Sequence, residues 1–324
     1  MHTTASDRLG FDHPDTLYAQ SCLARWTGEA GNPTMAVTGF ESLLPECVRV
    51  LGTDAELTLS VRNDLAFWRA HAGNPRAALA EFQDLVPVQV RVHGPDHLHT
   101  LTTRSNIARF LGETGDPAAA VKAFKQLLPD LHKALGADHV LTLTTAHNLA
   151  YWHGANGDPA EAVRALQVVL ADRKRVLGDD HPDTLSTRSN IARWRGVAGD
   201  PAGAAADLKA LLVDQIRVLG DDHPHVIERL KDRAFWLDQA GKLSEAATAY
   251  QEILAALQRT SDPTDPALLE VHSRIIESYI QLEDWPKAVS AADTLLAEQK
   301  QILGPDHPLV RAVFLDLTAL RERL

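Results

Sequence analysis

Apolar residues along this chain recur with helical spacing, and the whole pattern returns every 42 residues. In a representative copy, a helical segment from about Thr100 to Thr114 is followed by the turn Gly115-Asp116-Pro117. Glycine suits the left-handed position after a helix, aspartate accepts amide hydrogen bonds at the next N-terminus, and proline at the first helical position needs no donor. The next segment carries apolar residues on one helical face, at Phe124, Leu127, Leu128, Leu131 and Leu135. Each period therefore predicts two helices.

The repeat continues through the chain without insertion or deletion. A histidine marks most copies, with Ala55 and Asp265 at the two exceptions: His13, His97, His139, His181, His223 and His307. The pattern predicts seven helix pairs, over residues 12–53, 54–95, 96–137, 138–179, 180–221, 222–263 and 264–305, and a capping helix over 306–324. A pair of this size cannot bury its own apolar face, so we expect the pairs to stack into one all-α solenoid, a superhelix with a concave surface.

Large aromatic residues and prolines add two structural expectations. One aromatic recurs per period, at Trp26, Trp68, Phe110, Trp152, Trp194 and Trp236. Periodic aromatics usually pack in a core, so we expect all six to be buried. Prolines fall inside the second helices of the first three pairs, at Pro45, Pro87 and Pro129. Because a mid-helix proline costs roughly 3 kcal/mol or kinks the helix, these three helices are predicted to bend.

Composition narrows the classes of function. The net charge of -11 and the pI of about 5.7 disfavour nucleic-acid binding, which needs concentrated Lys and Arg. The chain shows no secretory signal and no apolar run long enough for a membrane helix, so no membrane association is expected. Two cysteines, Cys22 and Cys47, fit a reducing compartment, and we expect a cytoplasmic protein.

Candidate chemistry is sparse. The sequence contains no Walker A, GxGxxG, HExxH or GxSxG motif, so an enzyme and a cofactor are not expected. The recurrent histidines occupy one repeat position, which stacking would place about a helix pair apart. Zinc needs its ligands around one point, so we interpret these histidines as helix caps or linker packing and expect no metal.

The small residues Ala108 and Ala120, the large Phe124 four positions later, and Gly115 at the turn resemble the tetratricopeptide repeat. The 42-residue period and the linker "VLGDDHPDTL" resemble the longer repeats of kinesin light chains. The sequence of the repeats is also similar to that of actinobacterial arrays that follow NB-ARC or other STAND-type ATPase modules. This resemblance implies an α-solenoid whose first helices line the concave side and which binds a protein or peptide partner.

The resemblance places one stripe of each first helix in the concave groove, at positions i, i+4, i+7 and i+11. The second position of this stripe is polar in the central five pairs: Asp64, Asn106, Asn148, Asn190 and Asp232. A carboxamide can pair with both the C=O and the N–H of a peptide unit. Kinesin light chains and peptide-sensing receptors resemble this chain in using groove asparagines. The asparagines are therefore predicted to hold an extended backbone, and an internal hydrogen-bond ladder stays open as the alternative.

The third position of the stripe alternates between arginine and aromatic residues: Arg25, Phe67, Arg109, Tyr151, Arg193 and Phe235. Arginine can bind carboxylates of a ligand and the aromatics can stack on its apolar groups. Equally, Arg109 could stack on Tyr151 or Phe67 in a cation–π ladder. The stripe is acidic toward its C-terminal part, at Glu228, Asp232, Glu270 and Glu277. An extended ligand with an acidic stretch and a basic stretch would match this distribution.

The favoured hypothesis is a non-catalytic protein that holds an extended peptide or a partner's tail in its groove. Three alternatives stay open. The chain could be a ligand-sensing regulator of the kind attached to STAND ATPases, or a scaffold that self-associates as a homo-oligomer. An enzyme with an unfamiliar groove site has no support in the sequence.

Overall fold

The computed structural model describes residues 9–323, which form α-helices joined by short turns, with no strand among them. The first helix of a pair has 16 residues and the second has 19, with 18 in the sixth pair. The predicted all-α architecture of stacked helix pairs is confirmed. The chain divides into two compact units, an N-terminal unit that ends at Glu161 and a C-terminal unit that begins at Ala162. That the seven pairs form one continuous domain stays a prediction.

Seven helices precede the boundary: α1 (Pro14–Glu29), α2 (Pro33–Leu51), α3 (Glu56–His71), α4 (Pro75–His93), α5 (Leu98–Glu113), α6 (Pro117–Leu135) and α7 (Val140–Ala155). The boundary falls within α8 (Pro159–Leu177). Seven more follow: α9 (Pro182–Val197), α10 (Pro201–Leu219), α11 (Pro224–Gln239), α12 (Leu243–Thr260), α13 (Pro266–Gln281), α14 (Trp285–Leu303) and α15 (Pro308–Arg321). Each helix packs against the next from α1 to α7 and from α9 to α15.

The turns follow the local rules that the sequence predicts. His97, His139 and His181 cap first helices, each accepting the backbone N–H two residues later through Nδ1 at 3.1–3.3 Å. The predicted capping role of this histidine position is confirmed there. At the other end of the first helix, Gly115 has φ 106°, a conformation that L side chains rarely adopt. Asp116 then caps α6 by accepting the N–H of Ala119 at 2.9 Å.

The helices meet through a repeated core of small and large residues. Ala36, Ala78 and Ala120 are fully buried, as are Phe40, Phe82 and Phe124 four positions later. Burial of each phenylalanine side chain stabilises the fold by about 1.5–3 kcal/mol. In the N-terminal unit the first helices also contact one another directly, α1 with α3, α3 with α5 and α5 with α7. This contact places their stripes side by side.

The expectation that every repeated aromatic is buried is wrong for Trp26, which is 57% exposed. Trp68 and Trp194 are buried at 8% and 5% exposure, Phe110 is fully buried, and Trp152 is half-buried. The ring of Trp68 packs backward onto α1 of the preceding pair. Trp26 lies in the first pair, and no earlier helix pair within the described residues covers it.

Glycines in the preceding first helix make room for three of the tryptophans. Gly28 faces Trp68 and Gly112 faces Trp152, and a Cβ on either glycine would lie 2.5–2.6 Å from the ring. In the C-terminal unit Gly196 faces Trp236 in the same way. At each of these three contacts, the absence of a side chain on the glycine leaves the space that the indole ring fills.

Prolines do not interrupt the second helices. α2, α4 and α6 run unbroken over 19 residues through Pro45, Pro87 and Pro129. The proline-free α10 and α14 have the same length. All three prolines are exposed, so their rings displace no residue of the core. A bend at these positions stays a prediction.

Among the described helices, none combines the length and apolar character that crossing a bilayer requires.

Candidate functional site

A cleft of about 860 Å³ opens in the C-terminal unit, between α9 and α11 and over one face of α10. It brings together four residues that the sequence predicts for the groove: Asn190, Arg193, Asp232 and Phe235. Asn190 and Asp232 are half-buried, whereas Arg193 is exposed and Phe235 is 51% exposed. In this unit the second and third positions of two neighbouring stripes therefore share one concave surface.

Arg229 is the charged centre of the cleft wall, and the sequence prediction missed it. Its guanidinium pairs with Asp232 at 2.6 Å and with Glu228 at 3.0 Å, and it donates a hydrogen bond to the hydroxyl of Ser189 on α9. Threonine occupies the corresponding position in the three preceding pairs, at Thr103, Thr145 and Thr187, all buried. An arginine that departs from a buried threonine column was the available signal.

The two carboxylates beside Arg229 differ in their electrostatics. Burial raises the pKa of Asp232, and Arg229 and Arg193 only partly oppose that effect. Burial also pushes the pKa of Glu228 upward, but hydrogen bonds and charge from Arg229 and His225 outweigh it and leave this pKa lowered. Glu228 is therefore a stable anion, while the charged form of Asp232 is costly. A further cation in the cleft would stabilise charged Asp232.

In the N-terminal unit, several predicted groove residues bind one another. Arg25 on α1 donates to Asp64 on α3 at 2.6 Å, and the Asp64 side chain is only 16% exposed. Asn63 accepts the hydroxyl of Thr103 at 3.0 Å and the amide of Asn106 at 3.5 Å. These contacts cross from one pair to the next, as an internal ladder would. Asn148 is half-buried on α7.

The alternating third position packs largely against its own neighbours in sequence. Arg109 pairs with Glu113 at 2.6 Å, and its guanidinium carbon lies 5.4 Å from the ring centroid of Phe110. The aromatic members behave in the same way. Phe67 lies edge-on to Trp68 at 5.2 Å, and Tyr151 lies edge-on to Trp152 at 5.4 Å.

Arg193 and Phe235, which line the cleft, show the same arrangement. The guanidinium carbon of Arg193 lies 5.3 Å from the ring of Trp194, and Phe235 lies 4.8 Å from Trp236. In these five first helices, the repeated aromatic thus supports the neighbouring residue of the stripe. A rigidly supported side chain loses less conformational entropy when it binds a ligand.

Comparison with known protein families finds two matching models, both described as tetratricopeptide repeat. One matches residues 142–183 and 184–225, and the other matches residues 65–131. No curated protein sequence matches the chain. The predicted repeat class is confirmed by these matches and by the solved structures that the chain resembles.

Among solved structures, the chain is similar to a putative kinesin light chain with nearly identical TPR-like repeats from Podosopora anserina. The identity is 26% with a TM-score of 0.52, and the match covers 64% of this chain and 98% of that one. BtubC from P. vanneervenii is 16% identical with a TM-score of 0.56, over 72% of this chain and 94% of that one.

A third similar structure is a STAND protein with a tetratricopeptide repeat sensor from Pyrococcus horikoshii. It is 14% identical with a TM-score of 0.62, and the match covers 89% of this chain and 41% of that one. At this identity the likeness to it, and to BtubC, concerns the fold alone.

Proposed function

We propose that this chain, a tetratricopeptide-repeat protein with repeats like those of kinesin light chains, is a non-catalytic binding protein that holds an extended segment of a protein partner. Tetratricopeptide repeats generally mediate protein–protein interaction. The observation that carries the proposal is the cleft between α9 and α11, where four stripe residues from two helix pairs converge. A cleft between neighbouring first helices suits an extended strand of peptide.

The cleft offers three kinds of contact to such a segment. Asn190 presents a carboxamide, which can pair with the N–H and C=O of a backbone. Phe235 presents an exposed ring face to an apolar side chain. Glu228 and the half-buried Asp232 favour a cation, since one arginine, Arg229, bridges both of them. The segment that fits best is extended and carries an apolar residue next to a lysine or arginine.

Acidic residues on the neighbouring stripe extend this preference along the C-terminal unit. Glu270 and Glu277 are exposed on α13, and Arg274 pairs with Glu277 at 3.4 Å. Together with Glu228 and Asp232 on α11, they make four acidic residues on two neighbouring stripes, and these attract the basic part of the ligand. Binding through these charges should weaken as salt is added, because exposed charges are screened.

Within the N-terminal unit, Asn106 and Asn148 offer the same carboxamide to a peptide backbone in this proposal. The 3.5 Å contact between Asn106 and Asn63 is at the long limit for a hydrogen bond. A ligand amide can therefore replace it at small cost. In this proposal the asparagines hold backbone, while Arg109 and Tyr151 contribute to side-chain selectivity.

Selection of peptides from a random display library on the purified chain tests the proposal. Selected peptides are then titrated by calorimetry against Phe235→Ala, Asn190→Ala and the matched control Val213→Ala. Val213 is also an exposed apolar residue, 67% exposed on α10, but it does not line the cleft. We expect Phe235→Ala to weaken binding about tenfold, equivalent to about 1.4 kcal/mol, and the control to have no effect.

The proposal is wrong if all three folded variants bind the selected peptides equally well.

A second experiment identifies natural partners by affinity capture, with the wild type and with a variant in which Asn106, Asn148 and Asn190 are all replaced by Ala. Proteins captured by the wild type and lost by this variant are candidates for groove ligands. If capture is unchanged and the molecular mass depends on concentration, the chain acts as a self-associating scaffold instead.

Both cysteines are free thiols, which is consistent with the cytoplasmic location that we propose.

A further inference from the structure

Three histidines of the N-terminal unit meet where α4 ends and α5 begins. His93 is the last residue of α4, His97 is the N-cap of α5, and His99 follows in its first turn. The rings of His93 and His97 are stacked with centroids 4.6 Å apart, and His99 stands edge-on to both at 5.9 and 5.2 Å. One ring nitrogen from each lies within 4.8 Å of the other two.

Two of these rings hold a buried nitrogen without a hydrogen-bond partner. Nε2 of His93 and Nδ1 of His99 are both shielded from solvent and bond to nothing in the described part of the chain. Buried polar atoms in native proteins nearly always have a partner, so two exceptions in one cluster need an explanation. An ion bound between the rings would satisfy both.

The repeat shows that this cluster is specific to one place in the chain. Leucine occupies the position of His93 in most other pairs, at Leu51, Leu135, Leu177, Leu219 and Leu303. Leucine also occupies the position of His99 at Leu57, Leu141 and Leu309. The recurrent histidine column contributes only His97. The repeat therefore packs well with leucine at both places, and packing alone does not require the histidines.

We propose that His93, His97 and His99 form a binding site for a divalent transition-metal ion, with zinc as the first candidate. Imidazole nitrogens suit zinc, copper and nickel, whereas calcium and magnesium prefer oxygen. Zinc–nitrogen bonds of 2.0–2.1 Å in tetrahedral geometry place ligand nitrogens about 3.4 Å apart. Ring rotations that close the present separations by at most about 1.4 Å would achieve this geometry. Three histidines leave one position for water or another ligand.

The electrostatics around the cluster suit a cation. The carboxylates of Glu56 and Asp64 on α3 place negative potential at His99. That potential attracts a metal ion as it attracts a proton.

Metal binding competes with the helix cap of α5. Nδ1 of His97 accepts the backbone N–H of His99 at 3.3 Å, so in the neutral ring the proton is on Nε2. Coordination through Nε2 requires the proton to move to Nδ1, and coordination through Nδ1 occupies the accepting electron pair. Either way the cap is released, and the bound ion takes over the link between the end of α4 and the start of α5.

The test is a calorimetric titration of the full chain, without a polyhistidine tag, with zinc chloride. We expect a saturable site on the wild type and a rise in melting temperature with zinc, since a ligand that binds only the folded state stabilises it. His93→Leu and His99→Leu should weaken affinity by more than about 100-fold, because even outer-shell changes cost 10–100-fold. The amide signal of His99 should shift on binding, which reports the loss of the cap.

His153→Leu is the matched control, because this histidine of α7 is also half-buried and lies outside the cluster. It should leave zinc affinity unchanged. Both cluster variants restore the leucine of other repeats, so a folded, metal-free state is expected and is checked by circular dichroism. The proposal is overturned if the wild type shows no saturable binding, or if both cluster variants bind zinc as tightly as the wild type.

Discussion

Gly28 of α1 lies directly against the indole ring of Trp68 in α3, and a Cβ on this glycine would approach the ring to 2.6 Å. Trp68 is 8% exposed and is held edge-on by Phe67, so it has little room to move. One pair later, Ala70 occupies the position of Gly28 and the smaller Phe110 occupies that of Trp68. The residue sizes on the two facing helices are therefore matched.

This match predicts that Gly28→Ala destabilises the fold by up to about 2 kcal/mol. Alanine favours a helix over glycine by about 1 kcal/mol, but overpacking of a buried ring typically costs 1–3 kcal/mol. Trp68→Phe in the same chain should recover most of the loss, because it recreates the Ala70 and Phe110 combination. Urea denaturation of the two single variants and the double variant measures this coupling. Additive effects would contradict the size match.

A buried threonine forms a hydrogen bond to the linker that precedes several first helices. The hydroxyls of Thr16, Thr58, Thr100 and Thr142 each donate to the carbonyl of the glycine six residues earlier, at 2.8–2.9 Å. Thr142→Val should cost about 1–2 kcal/mol, because the Gly136 carbonyl loses its donor. Thr184 occupies the same position, but its buried hydroxyl has no hydrogen-bond partner in the described chain.

Thr184→Val is therefore expected to be neutral or stabilising, since it removes an unsatisfied buried hydroxyl and keeps the side-chain shape. Thermal unfolding of the two valine variants beside the wild type makes the comparison. Equal losses in both would show that threonine acts here through packing alone.

Glu283 occupies the turn position that glycine holds in the six earlier pairs, and it has φ 55°. A residue with a Cβ pays roughly 1–2 kcal/mol in this conformation. Glu283→Gly should therefore raise the free energy of unfolding by about 1 kcal/mol. Glu277→Gly, in the exposed interior of α13, should lower it by about the same amount through helix propensity. Chemical denaturation of both variants tests the sign, and a loss in both would refute the backbone explanation.

Asp64 should make stability depend on pH in an unusual direction. Burial raises its pKa above the ordinary 3.8, even though Arg25 opposes that effect. The folded chain then holds the proton more tightly than the unfolded chain. The free energy of unfolding should fall as the pH rises from the unfolded pKa through the raised folded pKa.

Asp64→Asn removes this titration, and asparagine is the residue that later pairs carry at Asn106 and Asn148. Relative to the wild type, the variant should gain stability as the pH rises through that window. Asp54→Asn is the opposite control, because hydrogen bonds from Arg91 lower the pKa of Asp54. Its contribution is present above the unfolded pKa and is lost as the pH falls. Denaturation curves from acid to neutral pH that show the same slope change for both variants would exclude this account.

Features that depend on neighbours in sequence were predictable. The turn at Gly115, Asp116 and Pro117 follows from a left-handed backbone, a capping carboxylate and a missing amide donor, all within three residues. The histidine caps follow for the same reason. Because these signals recur every 42 residues, they also predict the number of helix pairs and their order.

Features that depend on a neighbouring pair were not predictable from one repeat column. The column predicts Trp26 and Trp68 to be alike, yet within residues 9–323 an earlier helix pair covers only Trp68 of the two. The asparagine column does not reveal that Asn106 contacts Asn63, which lies one pair earlier and in a different column. His93 and His99 were missed because each lies outside the recurrent histidine column.

The sequence by itself determined the helix pairs, their capping and the small and large residues that let them stack, because these depend on short-range backbone and steric rules. Only the tertiary structure decided which stripe residues satisfy one another, as Arg25 and Asp64 do, and which line a cleft, as Asn190 and Phe235 do. It also decided that one ring nitrogen from each of His93, His97 and His99 lies within 4.8 Å of the other two. Hydrogen bonds and coordination depend on distances of a few ångströms between pairs, which periodicity along the chain does not specify.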